Sequence, residues 1–159
     1  MLKLRMGQAG DTIVEVIIVL AVLGLAISIS YATASRSLEA TRQAEENSQA
    51  TAILQSQIET LRAFVALTDA AHNIFQSSAY CIDSSGTVTT NTTMTSADVT
   101  SGATSTYSQY AGGCVYKSLY HIAIGYDSGS DVFTARATWD DVSGKGIDTA
   151  TLVYRLHKP

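Results

Sequence analysis

Hydrophobic and polar positions divide the chain into three regimes. Residues 16–29 are almost all apolar, and the wider stretch 12–34 shows no amphipathic pattern. At 1.5 Å per residue that stretch is long enough to cross a hydrocarbon layer of about 30 Å. A helix that is apolar all round must be surrounded by apolar material, either lipid or other helices. From Arg36 to about Ser78 there is no glycine or proline, and good helix formers dominate. This stretch begins polar on every side, with Arg36/Glu39 and Arg42/Glu46 at pairing distances. Leu54, Ile58, Leu61 and Val65 then repeat at helical spacing, which builds one apolar face that a sheet should cover. The pattern predicts one rod, about 75 Å long if continuous to Arg62. The alternative is a break near Gly24 or Ser35.

The last third of the chain alternates with period two. Tyr120, Ile122, Ile124 and Tyr126 share one face of a predicted strand, as do Phe133, Ala135, Ala137 and Trp139 in the next, and Leu152, Tyr154 and Leu156 in a third. "DSGSD" is a tight turn between the first two, and "DDVSGKGID" a looser one before the third. The expected fold class is α+β: a long amino-terminal α-helix, membrane-spanning in its first half, packed on a small antiparallel β-sheet head.

A length of 159 residues leaves room for one domain with appendages. The net charge is −4 and only 15% of residues are charged, so no basic field calls for nucleic acid and none is expected as a partner. Cys81 and Cys114 both lie beyond the apolar run. In an exported segment such a pair reads as a disulfide, with two separate buried thiols as the alternative. His72, His121 and His157 offer no metal-ligand spacing with them, so neither metal nor cofactor is expected. Between the cysteines, residues 84–113 are mostly threonine, serine and glycine. They read as a surface loop, with a short β-hairpin within it as an open alternative, tied at its base by the disulfide. Its "NTT" makes Asn91 a glycosylation acceptor by sequence, and Tyr107, Tyr110, Tyr116 and Tyr120 are candidates for an adhesive aromatic patch. A permissive insertion with no ligand, and tyrosines belonging to a thin β core, are the competing readings.

Catalytic chemistry is missing from the pattern. There is no phosphate-cradling glycine loop and no nucleophile elbow. Asp140 and Asp141 are adjacent, so a strand end points them apart, and "DSGSD" is too short to ligate calcium. The chain is expected not to be an enzyme.

At the amino terminus, "MLKLRMGQAG" carries Lys3 and Arg5 and no acid, which holds that end in the cytoplasm. Three readings compete for this end of the chain. One is a secretory signal cut after Ala34, the second a permanent anchor, and the third a leader cut after Gly10 that leaves the apolar helix on the mature chain. Asp11 and Glu15 stand between the basic residues and the apolar run, which disfavours the first. Glu15 also needs compensation, since a carboxylate costs about 2.5 to 3.5 kcal/mol at mid-bilayer and less near the interface.

A short basic leader, a glycine, "DTIVE" and a long apolar helix together resemble the amino terminus of type IV pilins and pseudopilins. Gly10 stands where that family is cleaved by its prepilin peptidase, and Glu15 where the mature chain has its fifth-position glutamate. The sequence departs from the family at Asp11, where an apolar residue is usual, and at Ala32, where many members have a helix-bending proline. The resemblance implies a removed leader (1–10), an apolar membrane and filament-core helix (11–34), an amphipathic continuation (35–78) and a globular β head (79–159). It implies N-methylation of the new terminus at Asp11, and a prokaryotic inner-membrane precursor that becomes an extracellular surface filament. The implied partners are identical or homologous pilin subunits, the membrane, the peptidase and the assembly machinery, and the implied role is adhesion or twitching motility.

Cleavage creates an α-ammonium at Asp11, which Glu15 of a neighbouring subunit would pair with in a low-dielectric bundle. The alternative is a Glu15 that snorkels in the headgroup layer. "QSQIETLRA" also resembles some minor pilins, so a minor subunit of a secretion or DNA-uptake machine stays open. So does an anchored or secreted binding domain that never polymerises.

Overall fold

The computed structural model describes residues 11–66, 73–83, 85–102, 110 and 112–156, with the backbone alone at 11, 12 and 92. The chain divides into two compact units, Met1–Arg42 and Gln43–Pro159. Helix α1 (Asp11–Ala66) contributes to both and is uninterrupted at Gly24 and at Ser35. In the first unit it is the whole described structure. Of the pairs expected along its polar stretch none forms: the one ion pair among the described residues is Arg62–Glu59, at 3.1 Å.

In the second unit the end of α1 meets a sheet formed by β1 (Ser78–Ile82), β2 (Val88–Thr95), β3 (Val115–Tyr116), β4 (Tyr120–Asp127), β5 (Val132–Asp140) and β6 (Ile147–Arg155). The spatial order is β2-β1-β4-β5-β6, every described pairing is antiparallel, and β3 shares the β4 edge with β1. A long amino-terminal helix leading into a small antiparallel sheet is the α+β class expected, and it is compatible with a pilin-like architecture.

The core lies where the alternation placed it. Tyr120, Ile122, Ile124, Phe133, Ala135, Ala137 and Trp139 are buried with Leu54, Ile58 and Leu61 of α1, while Val65, Tyr126, Leu152, Tyr154 and Leu156 pack half-buried around them. Ala50 joins one turn before Leu54. Trp139 is fully buried, and its indole Nε1–H donates to Glu46 Oε2 of α1 at 3.2 Å, so its one polar atom is satisfied.

Two expectations are corrected here. The helical segment expected over 35–78 is described as helix only to Ala66, and residues 73–77 are irregular. The reason is tertiary: Ile74 is buried, and the Phe75 ring packs edge-on against Tyr126 at 5.1 Å and Phe133 at 5.5 Å, which brings the chain back to begin β1. The segment expected as a loop over 84–113 contains β2, helix α2 (Ser96–Ser101) and a 3-10 turn (Gly112–Cys114). Thr95 and Asp98 close a capping box on α2, and Gly102 ends it in the left-handed region at φ 79°. This element covers the other face of the sheet, where Ala79, Met94, Val99, Tyr110 and Ala123 form a second, smaller core. Contact there is close. A Cβ on Gly125 would stand 2.7 Å from the Ser96 carbonyl oxygen, so only glycine admits α2 at this distance.

Aspartates hold the β1–β2, β4–β5 and β5–β6 turns. Asp83 accepts from the Ser85 and Thr87 amides, Asp127 from the Gly129 amide and the Ser130 hydroxyl, and Asp141 from the Ser143 hydroxyl and the Lys145 amide. Hydrogen bonds to Ser85, to Thr95, to Ser130 and to Ser143 hold Asp83, Asp98, Asp127 and Asp141, respectively, below the usual carboxylate range. Depressed carboxyls contribute stability that is fully present above the unfolded value, near 3.9, and is lost as pH falls through the folded values. The thermal midpoint of the second unit should therefore be flat in this respect above about pH 5 and decline below about pH 4. Asp98→Asn should flatten part of that decline when midpoints are compared from pH 2 to 7.

Candidate functional site

Two places combine unusual chemistry with a defined structure. The first is the apolar half of α1. Ile13, Val14, Val16, Ile17, Ile18, Val19, Leu20, Val22, Leu23, Leu25, Ile27, Ile29 and Tyr31 are all exposed, and none of the most apolar window is buried against its own chain. The helix is long and apolar enough to cross a membrane. Three of its hydroxyls are satisfied within the helix: Ser28 donates to Gly24 O, Ser30 to Ala26 O and Thr33 to Ile29 O, each at 2.8 or 2.9 Å. A side chain bonded back to its own turn presents no unmet donor to hydrocarbon. Glu15 lies in the early turns of this helix and is exposed. It is the one charged residue between residue 13 and Arg36. Gly10 lies outside the described residues, and Asp11 is the first residue of α1.

The second place is the junction where α1 holds the disulfide-bearing edge of the sheet. Cys81 and Cys114 are bonded, with Cα atoms 5.6 Å apart, and both are buried. The next residue along β1, Ile82, meets a surrogate strand. Gln57 of α1 is buried, and its side-chain amide accepts from Ile82 N at 2.9 Å and donates to Ile82 O at 2.7 Å. One side-chain amide thus satisfies both backbone groups at a position where β1 has run past its pairing with β4, which is made at Tyr80 and Ile124. The Tyr116 hydroxyl, two residues beyond Cys114, also donates to Ile82 O and accepts from Gln57 Nε2 at 2.7 Å. Burial pushes the Tyr116 phenol up, so it stays a donor across the physiological range. Beside this junction a shallow groove of about 360 Å³ runs along α1 past Gln49, Ile53, Tyr116 and Lys117.

The remaining sequence candidates separate. Asn91 lies in β2 and is 1% exposed, not on the open loop surface that a glycosylation acceptor requires. The tyrosines do not share a patch. Tyr120 stacks edge-on against Trp139 in the main core, Tyr116 serves the Gln57 junction, and Tyr110 lies on the opposite face of the sheet, where its hydroxyl meets Thr138 Oγ1 at 3.0 Å. Tyr107 lies outside the described residues. Gln57 was missed by sequence reasoning, although it sits inside "QSQIETLRA". Its signal is a polar residue at helical spacing from Ala50, Leu54, Ile58 and Leu61, on the face that must be buried.

Compared with known proteins, the chain matches no family model, and no curated protein or solved structure is significantly similar to it.

Gln57→Leu fills the space but leaves the Ile82 amide without its partner, at roughly 1 to 3 kcal/mol, while the Ile82 carbonyl keeps the Tyr116 hydroxyl. Urea unfolding of the full chain in detergent should show a loss of about 1 to 3 kcal/mol. The exposed Gln55→Leu should change stability by less than about 0.5 kcal/mol.

Proposed function

We propose that this chain is a structural subunit of a type IV pilus-like surface filament, held in the cytoplasmic membrane by α1 before assembly and joined to its neighbours through the same helix afterwards. The observation that carries the reading is the uncovered apolar surface of α1, continuous around the helix and broken by a single acid at Glu15. Lipid and sister helices both cover such a surface, so one segment serves both states. The amino-terminal pattern around Gly10 and the α+β head are compatible with this reading.

In the proposed pathway a peptidase cuts after Gly10, and the new ammonium at Asp11 pairs with Glu15 of an adjacent subunit. A subunit entering out of register would leave both charges bare in a low-dielectric setting, so the pair fixes register as well as adhesion between helices. The contacts are head-to-tail and need not close, which yields a filament rather than a ring. The head is the displayed part. Its role is structural, with no catalytic step assigned to it.

Mass spectrometry of the native amino terminus should find a chain beginning at Asp11, with or without a methyl group. A chain beginning at Ser35 would make this a released domain, and an intact Met1 a simple anchor. In cells that make the filament, Glu15→Ala should abolish or sharply reduce fibres seen by electron microscopy while leaving the membrane-inserted pool intact.

A further inference from the structure

On the face of the sheet opposite α1, one side chain breaks the rule that buried charges are paired. Arg136 of β5 is only 9% exposed. Its Nε is buried without a hydrogen-bond partner, and the one ion pair among the described residues, Arg62–Glu59, lies on α1. A guanidinium stays charged in a folded protein, so it cannot escape the cost of burial by losing its proton. Breaking a buried pair by removing one partner is strongly destabilising for that reason, and among the described residues no acid forms an ion pair with Arg136.

The surroundings favour an anion of one shape and charge. The left-handed Gly102 at the end of α2 roofs the site: a Cβ there would lie 3.0 Å from Nη2, 3.6 Å from Nη1 and 3.7 Å from Cζ, so the guanidinium plane lies against bare backbone. Register places Ala123 of β4 on one side and Thr151 of β6 on the other. Directly paired residues share a face of the sheet, so Thr151 leaves the sheet on the same face as Arg136, as does Thr134 two residues along β5. Thr149, Thr151 and Val153 are exposed, which leaves the β6 side open for approach.

We propose that Arg136 is the centre of a carboxylate-binding site on the back of the head, entered across β6. A planar monoanion matches a single guanidinium fork and its neighbouring hydroxyls, whereas a phosphate dianion would leave a charge unmatched. The carboxylate is either a free small acid or an acidic side chain of a second copy of this chain, and the site stands whether or not the chain polymerises through α1.

The full-length chain, dispersed in non-ionic detergent and labelled with 15N, tests this. Sodium acetate is added at ionic strength held constant with sodium chloride while the Arg136 Nε–Hε resonance is tracked. The expected result is a saturable shift, together with a rise in thermal midpoint that is lost in Arg136→Met. Without acetate, Arg136→Met should melt at or above the parent, because it removes an unpaired buried charge. If that variant does not fold, Arg136→Lys keeps the charge without the fork and should weaken acetate binding about ten-fold. A shift that chloride reproduces, that grows without saturating, or an acetate effect that survives both substitutions overturns the site. Raising the chain concentration without acetate separates the sources. A shift that develops with concentration assigns the carboxylate to another copy, and one that only acetate produces assigns it to a free acid.

Discussion

Between Ile13 and Tyr31, α1 turns large apolar side chains outward around its whole circumference, and the chain covers none of them. At about 25 cal/mol for each Å² of apolar surface, covering this segment is strongly favoured over leaving it in water. Past residue 43 the same helix meets the opposite situation. Ala50, Leu54, Ile58 and Leu61 are buried by the chain's own sheet, and the outward positions are polar. One continuous helix therefore has an uncovered apolar half and a half buried by the chain's own sheet, and the change between them is written in the residues alone. No glycine or proline breaks the backbone where the environment changes.

The attachment of helix to sheet depends on polar chemistry as much as on burial. β1 is short and pairs with β4 at a single described position, so its backbone groups beyond Tyr80 need partners elsewhere. Gln57 supplies them to Ile82, in the manner of an added strand reduced to one side chain. The disulfide at the neighbouring Cys81 ties the same edge to Cys114, and Tyr116 returns to the Gln57 amide. Covalent and hydrogen-bonded constraints thus meet within three residues of β1 and β3. A slip of β1 by one residue would put Tyr80 and Ile82 on the wrong face and part the amide from its peptide group together.

Much of this was legible in the sequence where a single period decided it. Alternation in β4, β5 and β6 named the residues facing α1, the intervals from Leu54 to Val65 named the helix face, and the two cysteines paired. What stayed hidden was non-local. The end of α1 depends on Phe75 reaching Tyr126 and Phe133, a contact between segments some fifty residues apart that no local propensity encodes. The second core was hidden because its residues are few and scattered among serines and threonines. Two local signs did point to it: the Thr95–Asp98 capping box, and a glycine at 125 inside an otherwise bulky strand. Asn91 shows the reverse failure, a surface motif by pattern that tertiary packing buries.

Lipid tails and sister helices are about equally apolar, so moving from one to the other gains little from the hydrophobic effect itself. Any preference for one arrangement of helices must come from polar groups and from close packing. Ser28, Ser30 and Thr33 are poor sources of such preference, because each already donates to a carbonyl of its own helix. That leaves Glu15, the one charged residue between residue 13 and Arg36, as the strongest source of such preference in the segment. A lone acid in this position is costly where it has no partner and directive where it has one. The same physics governs Arg136 in the head, a charge of opposite sign whose buried Nε has no hydrogen-bond partner and whose guanidinium lies close to Gly102. In the proposed filament and the proposed site alike, the chain carries half of an interaction, with the other half supplied by a neighbouring subunit or a carboxylate.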